Sequence, residues 1–245
     1  MSKMPLSSRV APVFCAIDTV ELAFAARCAR AAAAAGFGVK LGKEFFTAHG
    51  PTEVRSILPV GTPLFLDLKF HDIPNTVAGA VRSAAAAMGP MMLTVHASGG
   101  PAMIRQAVDA AKQARQRPWI VAVTALTSLD AADLAAIGIT EDVSSYVLRL
   151  AKMAQANGAD GVVCAATEIA MLRQACGPDF KLVVPGIRPK GSAVGDQKRV
   201  MTPGEALKLG ADHLVIGRPI TEAENPEASA QAIALELAES LSGAA

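Results

Sequence analysis

Short apolar runs recur along the chain, each followed by a stretch of helical character. Val13 to Ile17 runs into Asp18-Thr19, and the Ala-rich segment from Glu21 to Ala35 then carries strong helix propensity as far as Gly36, a suitable C-terminal stop. The unit repeats as Gly38 to Leu41 with a helix after Pro51, as Leu64 to Lys69 with a helix after Pro74, and as Met91 to His96 with a helix from Pro101 to Gln116. The second half adds Trp119 to Thr124, Gly161 to Ala165, Lys181 to Val184 and His213 to Ile216, separated by helical stretches such as Asp142 to Ala156 and Glu168 to Ala175. Strands this continuously apolar are buried on both faces, as in a parallel sheet covered by helices. About eight such units predict an α/β fold, a (β/α)8 TIM barrel. No Ser/Gly linker or shift in composition divides the chain, so residues 1–245 are expected to form one domain. An open, doubly wound sheet fits less well: Ile17-Asp18-Thr19 has no G-x-G-x-x-G fingerprint, and no G-x-x-x-x-G-K-[ST] occurs.

The third apolar run is interrupted where a core should continue. After Pro63, Leu64, Phe65 and Leu66 come Asp67 and Lys69, two residues apart and hence on one face of a strand. Such a pair costs several kcal/mol per ion in desolvation unless it pairs closely. A lone D-x-K is as readily a structural ion pair as a functional one, so its company decides. Asp72 follows, then Ile-Pro-Asn-Thr, and Pro74 suits the first turn of a helix, which puts Asp72 in a strand-to-helix loop. In a barrel, chemistry belongs at the carboxyl ends of the strands. There the chain places Asp18, Lys40, Asp67 with Lys69, His96 with Ser98, Thr127-Ser128, Pro185-Gly186-Ile187-Arg188 and Gly217-Arg218-Pro219.

Composition narrows the classes. With 245 residues, 51% of them hydrophobic, the chain can bury a large core by itself. A formal charge of +1, from 23 basic and 22 acidic residues, supplies no global field for nucleic acid or an anionic membrane, so neither is an expected partner. Any anion must be held locally. Cys15, Cys28, Cys164 and Cys176 form no C-x-x-C pair and lie in apolar stretches, which reads as buried reduced thiols. Met1 to Arg9 has no apolar segment of signal-peptide length and no run reaches roughly 18 apolar residues; a cytoplasmic location is the expectation.

Two segments look fitted to an anion. Ile216-Gly217-Arg218-Pro219-Ile220 combines a glycine that lets backbone approach closely with a forked cation, after the eighth strand, where such barrels often bind phosphate. Gly186 to Thr202 is a long polar loop with Arg188 at its start and Gln197 in its body; it reads as a lid over an anion or as a solvated charged loop. His96 reads as a hydrogen-bonded supporting group rather than an acid or base. His49, His71 and His213 lack metal-ligand spacing, and no metal site is legible.

Taken together, Ala-Ile-Asp18, Val-Lys40-Leu-Gly, Asp67-Leu-Lys69-Phe-His-Asp72-Ile-Pro-Asn-Thr76, Val-His96-Ala-Ser-Gly-Gly, Leu-Thr127-Ser, Pro-Gly-Ile-Arg188-Pro, Gly-Asp-Gln197 and Ile-Gly217-Arg218-Pro closely resemble the bacterial orotidine 5'-phosphate decarboxylases. The motifs stand in family order across most of the chain. D-x-K-x-x-D alone is shared with sugar-phosphate enzymes of the same barrel group; joined to Pro-Asn-Thr and the two C-terminal motifs it is far more specific. The resemblance implies decarboxylation of orotidine 5'-monophosphate to uridine 5'-monophosphate, the last step of de novo pyrimidine synthesis, with no metal or organic cofactor. It implies Lys69 as proton donor to C6 within an alternating array of Lys40, Asp67, Lys69 and Asp72. It further implies contacts from Asp18 and Lys40 to the ribose, from Thr127 or its neighbour Ser128 to the pyrimidine, and from Arg188, Gly217 and Arg218 to the phosphate, with Gln197 joining phosphate to base. A homodimer is implied, with Asp72 and Thr76 contributed across the interface. The competing readings are a metal-dependent sugar-phosphate decarboxylase or synthase on the same barrel, and a catalytically silent nucleotide-binding barrel.

Overall fold

The computed structural model describes residues 12–189 and 201–242. Eight parallel strands close into a barrel in sequence order: β1 (Val13–Ile17), β2 (Gly38–Gly42), β3 (Leu64–Phe70), β4 (Met92–His96), β5 (Trp119–Val123), β6 (Gly161–Val163), β7 (Lys181–Pro185) and β8 (His213–Ile216). β8 returns to β1 with Val13 beside Leu214 and Cys15 beside Ile216. Helices α1 (Leu22–Ala34), α2 (Lys43–Ser56), α3 (Pro74–Met88), α4 (Gly100–Lys112), α5 (Ala131–Ala136), α6 (Val143–Ala156), α7 (Ile169–Cys176), α8 (Pro203–Leu209), α9 (Arg218–Thr221) and α10 (Pro226–Ser242) connect and surround them. None of the described helices is long and apolar enough to cross a membrane.

The period-2 alternation of each strand divides the apolar residues into two cores. Val13, Cys15 and Ile17 of β1, Val39 and Leu41 of β2 and Leu64 and Leu66 of β3 face outward and pack with the helices. Phe14, Phe65, Met92, Val121, Val183 and Val215 face inward and fill the barrel floor. Phe14 meets Phe65 edge-on at 5.7 Å between centroids, and a Cβ on Gly38 would fall 2.4 Å from the Phe14 ring, so only glycine leaves that ring room. The same parity continues upward: Lys40 is two residues beyond Gly38, Asp67 two beyond Phe65, and Thr94 two beyond Met92. The charged layer is therefore the next storey of the barrel interior, above an apolar plug.

β6 ends at Val163, two residues short of the expected Ala165, and the helices depart from the sequence pattern further. α2 begins at Lys43, ahead of the expected start after Pro51, and is broken at Gly50 (φ +69°), because Pro51 removes a donor and pushes its neighbour out of helical geometry. α4 stops at Lys112, short of Gln116. The short α5, capped by Asp130, follows β5; its six residues carry too little periodicity to stand out.

Candidate active site

The charged side chains at the mouth come from the carboxyl ends of three successive strands. Asp18 follows β1, Lys40 lies in β2, and Asp67 and Lys69 lie in β3, whose register against β4 shifts between Leu66 and Phe70. At that shift Lys69 takes φ +52°, and among the described residues it is the one non-glycine with positive φ. For a residue with a Cβ this conformation costs roughly 1–2 kcal/mol, and such strain clusters at functional sites.

The side chains form a chain of alternating charge. The Lys69 Nζ donates to Asp67 Oδ2 at 2.7 Å, the Lys40 Nζ lies 3.7 Å from the same oxygen, and it donates to Asp18 Oδ1 at 3.3 Å. The other oxygen, Asp67 Oδ1, accepts from the Thr94 hydroxyl at 2.9 Å. Burial separates the members: the side chains of Lys40 and Asp67 are 10% and 12% exposed, Lys69 26% and Asp18 59%. Burial alone would raise the pKa of Asp67, but Lys40 and Lys69 beside it, with hydrogen bonds from Lys69 and Thr94, bring it below its ordinary value. Asp67 is thus a fixed carboxylate held against two ammonium groups.

Asp18, Lys40, Asp67 and Lys69 line a cavity of about 320 Å³ that also takes in Thr127, Gly186, Arg188, Gly217 and Arg218, a volume within the usual range for a small-ligand site. One wall is apolar, built from Val123, Ala125, Leu126 and Pro185. Gly186 has φ +78°, which turns the chain out of β7 into the cavity rim. Arg188 is 5% exposed; its backbone N–H donates to the Met201 carbonyl at 3.1 Å, tying together the two described ends of the segment 186–202. Eight of the residues expected at the site, Asp18, Lys40, Asp67, Lys69, Thr127, Arg188, Gly217 and Arg218, therefore converge on one cavity. Gln197 lies outside the described residues.

Asp72 and Thr76 do not join them. Asp72 sits between β3 and α3, its carboxylate accepting from the Ile73 N–H at 2.6 Å, and neither residue lines the cavity of its own chain. His96 stands at the end of β4 beside His71, ring centroids 5.3 Å apart. Burial, with the charges of His71, Lys43 and Lys69 acting the same way, pushes its pKa down to about 4, so its ring is neutral near pH 7. The cysteines are free and buried. Burial pushes the Cys15 thiol up to about 12 and raises Cys164 as well, which removes both as nucleophiles at neutral pH. Thr94, which sequence reasoning passed over, is the buried polar partner of the array.

A larger cavity, about 780 Å³, opens among the C-terminal ends of α2, α3 and α4, around Arg55, Arg82 and Arg115. Its wall is otherwise mostly alanine and holds no carboxylate, histidine or thiol. Among the described residues, no group of three or more His, Cys, Asp or Glu is arranged to hold a metal ion.

A closed parallel barrel with a row of paired charges at the carboxyl end of β1 to β3, and glycine-arginine turns after β7 and β8, defines a (β/α)8 barrel of the enzyme kind, with its site where such barrels place chemistry. The family model described as "Orotidine 5'-phosphate decarboxylase / HUMPS family" matches residues 11–233, and the chain belongs to that family. Among curated relatives, the orotidine 5'-phosphate decarboxylase of Alcanivorax borkumensis is 53% identical over 215 residues, 88% of this chain and 93% of its own. That of Paramagnetospirillum magneticum is 51% identical over 231 residues, 92% and 98% of the two chains. The crystal structure of orotidine 5'-phosphate decarboxylase from Lactobacillus acidophilus aligns with a TM-score of 0.81 at 36% identity, covering 93% of this chain and 99% of that one.

Proposed function

We propose that the chain decarboxylates orotidine 5'-monophosphate to uridine 5'-monophosphate and CO2, a step of pyrimidine biosynthesis, and that Lys69 protonates C6. The observation that carries this reading is the 2.7 Å contact of the Lys69 ammonium with Asp67 inside the mouth cavity, which the Gly217-Arg218 turn also lines. Breaking the bond from C6 to the carboxyl carbon leaves its electron pair on C6. With no ring cofactor to take up that charge, the site must stabilise it by placement. A fixed ammonium does so before and during bond cleavage, then delivers its proton to C6 as CO2 leaves, and regains a proton from water. Asp67 orients that ammonium and, being anionic, repels a substrate carboxylate placed beside it.

The remaining roles follow from position. Asp18, the most exposed of the four paired side chains, and Lys40 take the ribose hydroxyls; Thr127 takes the pyrimidine edge; Arg188, Gly217 and Arg218 take the phosphate. The segment 186–202, with Gln197, is assigned the joining of phosphate to base on its sequence alone. Phosphate binding energy used to organise the array predicts that the nucleoside orotidine loses turnover as well as affinity.

The same reading makes the protein a cytoplasmic, single-domain subunit of a homodimer. Asp72 and Thr76 stand away from their own cavity and Ile73 between them is 66% exposed, as suits residues that enter a partner's site. Mixing inactive Lys69→Ala and Asp72→Asn chains tests this. A hybrid dimer keeps one native site, so about a quarter of wild-type activity should return after random exchange; no recovery would contradict the shared site.

The reaction itself is tested by the ultraviolet absorbance of orotidine 5'-monophosphate with purified protein in excess chelator. Loss of the orotate chromophore with formation of uridine 5'-monophosphate is expected. Activity that appears only with a divalent ion and a sugar phosphate would replace the reading with a metal-dependent one, and tight nucleotide binding without turnover would make the barrel a silent binder.

A further inference from the structure

Thr94 is fully buried on the inner face of β4 and lies outside the cavity lining, so it cannot touch a ligand there. It is bonded on both sides to groups that line it. Its hydroxyl oxygen accepts from the Lys69 backbone N–H at 2.8 Å, and its proton goes to Asp67 Oδ1 at 2.9 Å. The senses of these bonds are forced, because a backbone N–H only donates and a carboxylate only accepts. The first bond falls on the residue with φ +52°, at the place where the β3–β4 register shifts and the regular strand-to-strand ladder gives way. The second leaves Asp67 Oδ2 as the oxygen shared by Lys69 and Lys40.

We propose that Thr94 is a positioning residue for decarboxylation: its hydroxyl holds the left-handed turn at Lys69 and the rotation of the Asp67 carboxylate, and so aims the ammonium that protonates C6. A left-handed lysine persists only if its surroundings over-determine it. Here the hydroxyl replaces the ladder partner that the shifted register withdraws from the Lys69 N–H. Without it the backbone has reason to relax toward the extended region, which would carry the ammonium away from the C6 position while leaving the Gly217-Arg218 turn in place.

This inference rests on the proposed reaction, and its test separates the two. In the full chain, Thr94→Val keeps shape and removes the hydroxyl, and Thr94→Ser restores the hydroxyl. For orotidine 5'-monophosphate, Thr94→Val should lower kcat by about 10- to 100-fold with KM within about threefold of wild type, as expected when a bond that aligns a reacting group is lost but ground-state binding is kept. Thr94→Ser should recover most of kcat. A residue that merely fills and satisfies the interior would lower the unfolding temperature and leave kcat unchanged; that result overturns the proposal. A crystal structure of unliganded Thr94→Val, or of Thr94→Ala should the valine variant fail to accumulate, reads the same point without substrate. Lys69 should leave positive φ or its Nζ should move off Asp67, and unchanged geometry would overturn the assignment. Wild-type protein inert toward orotidine 5'-monophosphate would sink the proposed reaction, while that variant structure would still decide what Thr94 holds.

Discussion

The two ends of the barrel both bury charge, and they use it differently. At the amino end, carboxylates bind backbone. Asp160, just before β6, accepts from the Ile120 N–H at 2.8 Å and from Arg117 at 2.9 Å; Asp212, just before β8, accepts from the Leu182 N–H at 2.9 Å and pairs with Arg173 and Lys181. Arg173 also donates to the carbonyls of Gly177, Phe180 and Gly210, so one guanidinium ties α7 to the loops entering β7 and β8. At the carboxyl end, Asp18, Lys40, Asp67 and Lys69 bind chiefly one another and face a cavity. Charges that satisfy backbone hold strands in register, whereas charges that answer one another beside open space are arranged for a ligand. Removing the first should cost stability, and removing the second should cost turnover.

Short of removing Lys69 itself, the largest separation is expected from Asp67→Asn. Neutralising the carboxylate between two ammonium groups should lower kcat about a hundredfold to a thousandfold, with an unfolding temperature near wild type, read by steady-state kinetics and calorimetry on one preparation. Arg173→Met is its mirror image. Loss of several part-buried hydrogen bonds and one ion pair should destabilise by about 2–4 kcal/mol with kcat within about twofold, measured by denaturant unfolding and steady-state kinetics. A variant of Arg173 that lost turnover but not stability would break the comparison.

A smaller effect distinguishes the titrating groups. His96, depressed from 6.5 to about 4 chiefly by burial, is neutral in the folded chain where the unfolded chain begins to protonate. Its contribution to stability is therefore full above about pH 6.5 and lost as pH falls toward about 4. His96→Asn should flatten that part of the stability profile, while kcat shows no His96 limb between about pH 5 and 8. Asp67 is also depressed, so its charged form persists below the ordinary carboxylate pKa and is lost only as pH falls through its lowered value. The acid limb of kcat should accordingly lie below the ordinary carboxylate range. The smallest effect is expected at the exposed Lys112–Asp109 pair on α4, 3.0 Å apart: Lys112→Ala should change stability by no more than about 0.5 kcal/mol.

Much of this arrangement is legible in the chain. Buried strands advertise themselves by uninterrupted apolar runs, and the spacings of Val13 to Ile17 and His213 to Ile216 coincide with β1 and β8. Asp67 and Lys69 are conspicuous because a charged pair breaks such a run. Thr94 was hidden for the opposite reason: in Met92-Leu93-Thr94-Val95-His96 a threonine is an ordinary β-former. Parity with Met92 and His96 puts it on the inner face, but its link to Asp67 and Lys69 depends on the β3–β4 register, which no local pattern carries. The left-handed backbone at Lys69 was equally unreadable, since lysine, unlike glycine or asparagine, carries no signal for it. Asp72 and Thr76 show a further limit: the motif names them beside Lys69, yet the single chain leaves them outside its own cavity.

The measurement that bears most directly on the division between the two ends is decarboxylation of orotidine 5'-monophosphate by Lys69→Ala, beside wild type in excess chelator, with unfolding temperature recorded on both. Turnover should fall by several orders of magnitude with the fold intact. Turnover within a few-fold of wild type would contradict it and remove Lys69 from the reaction.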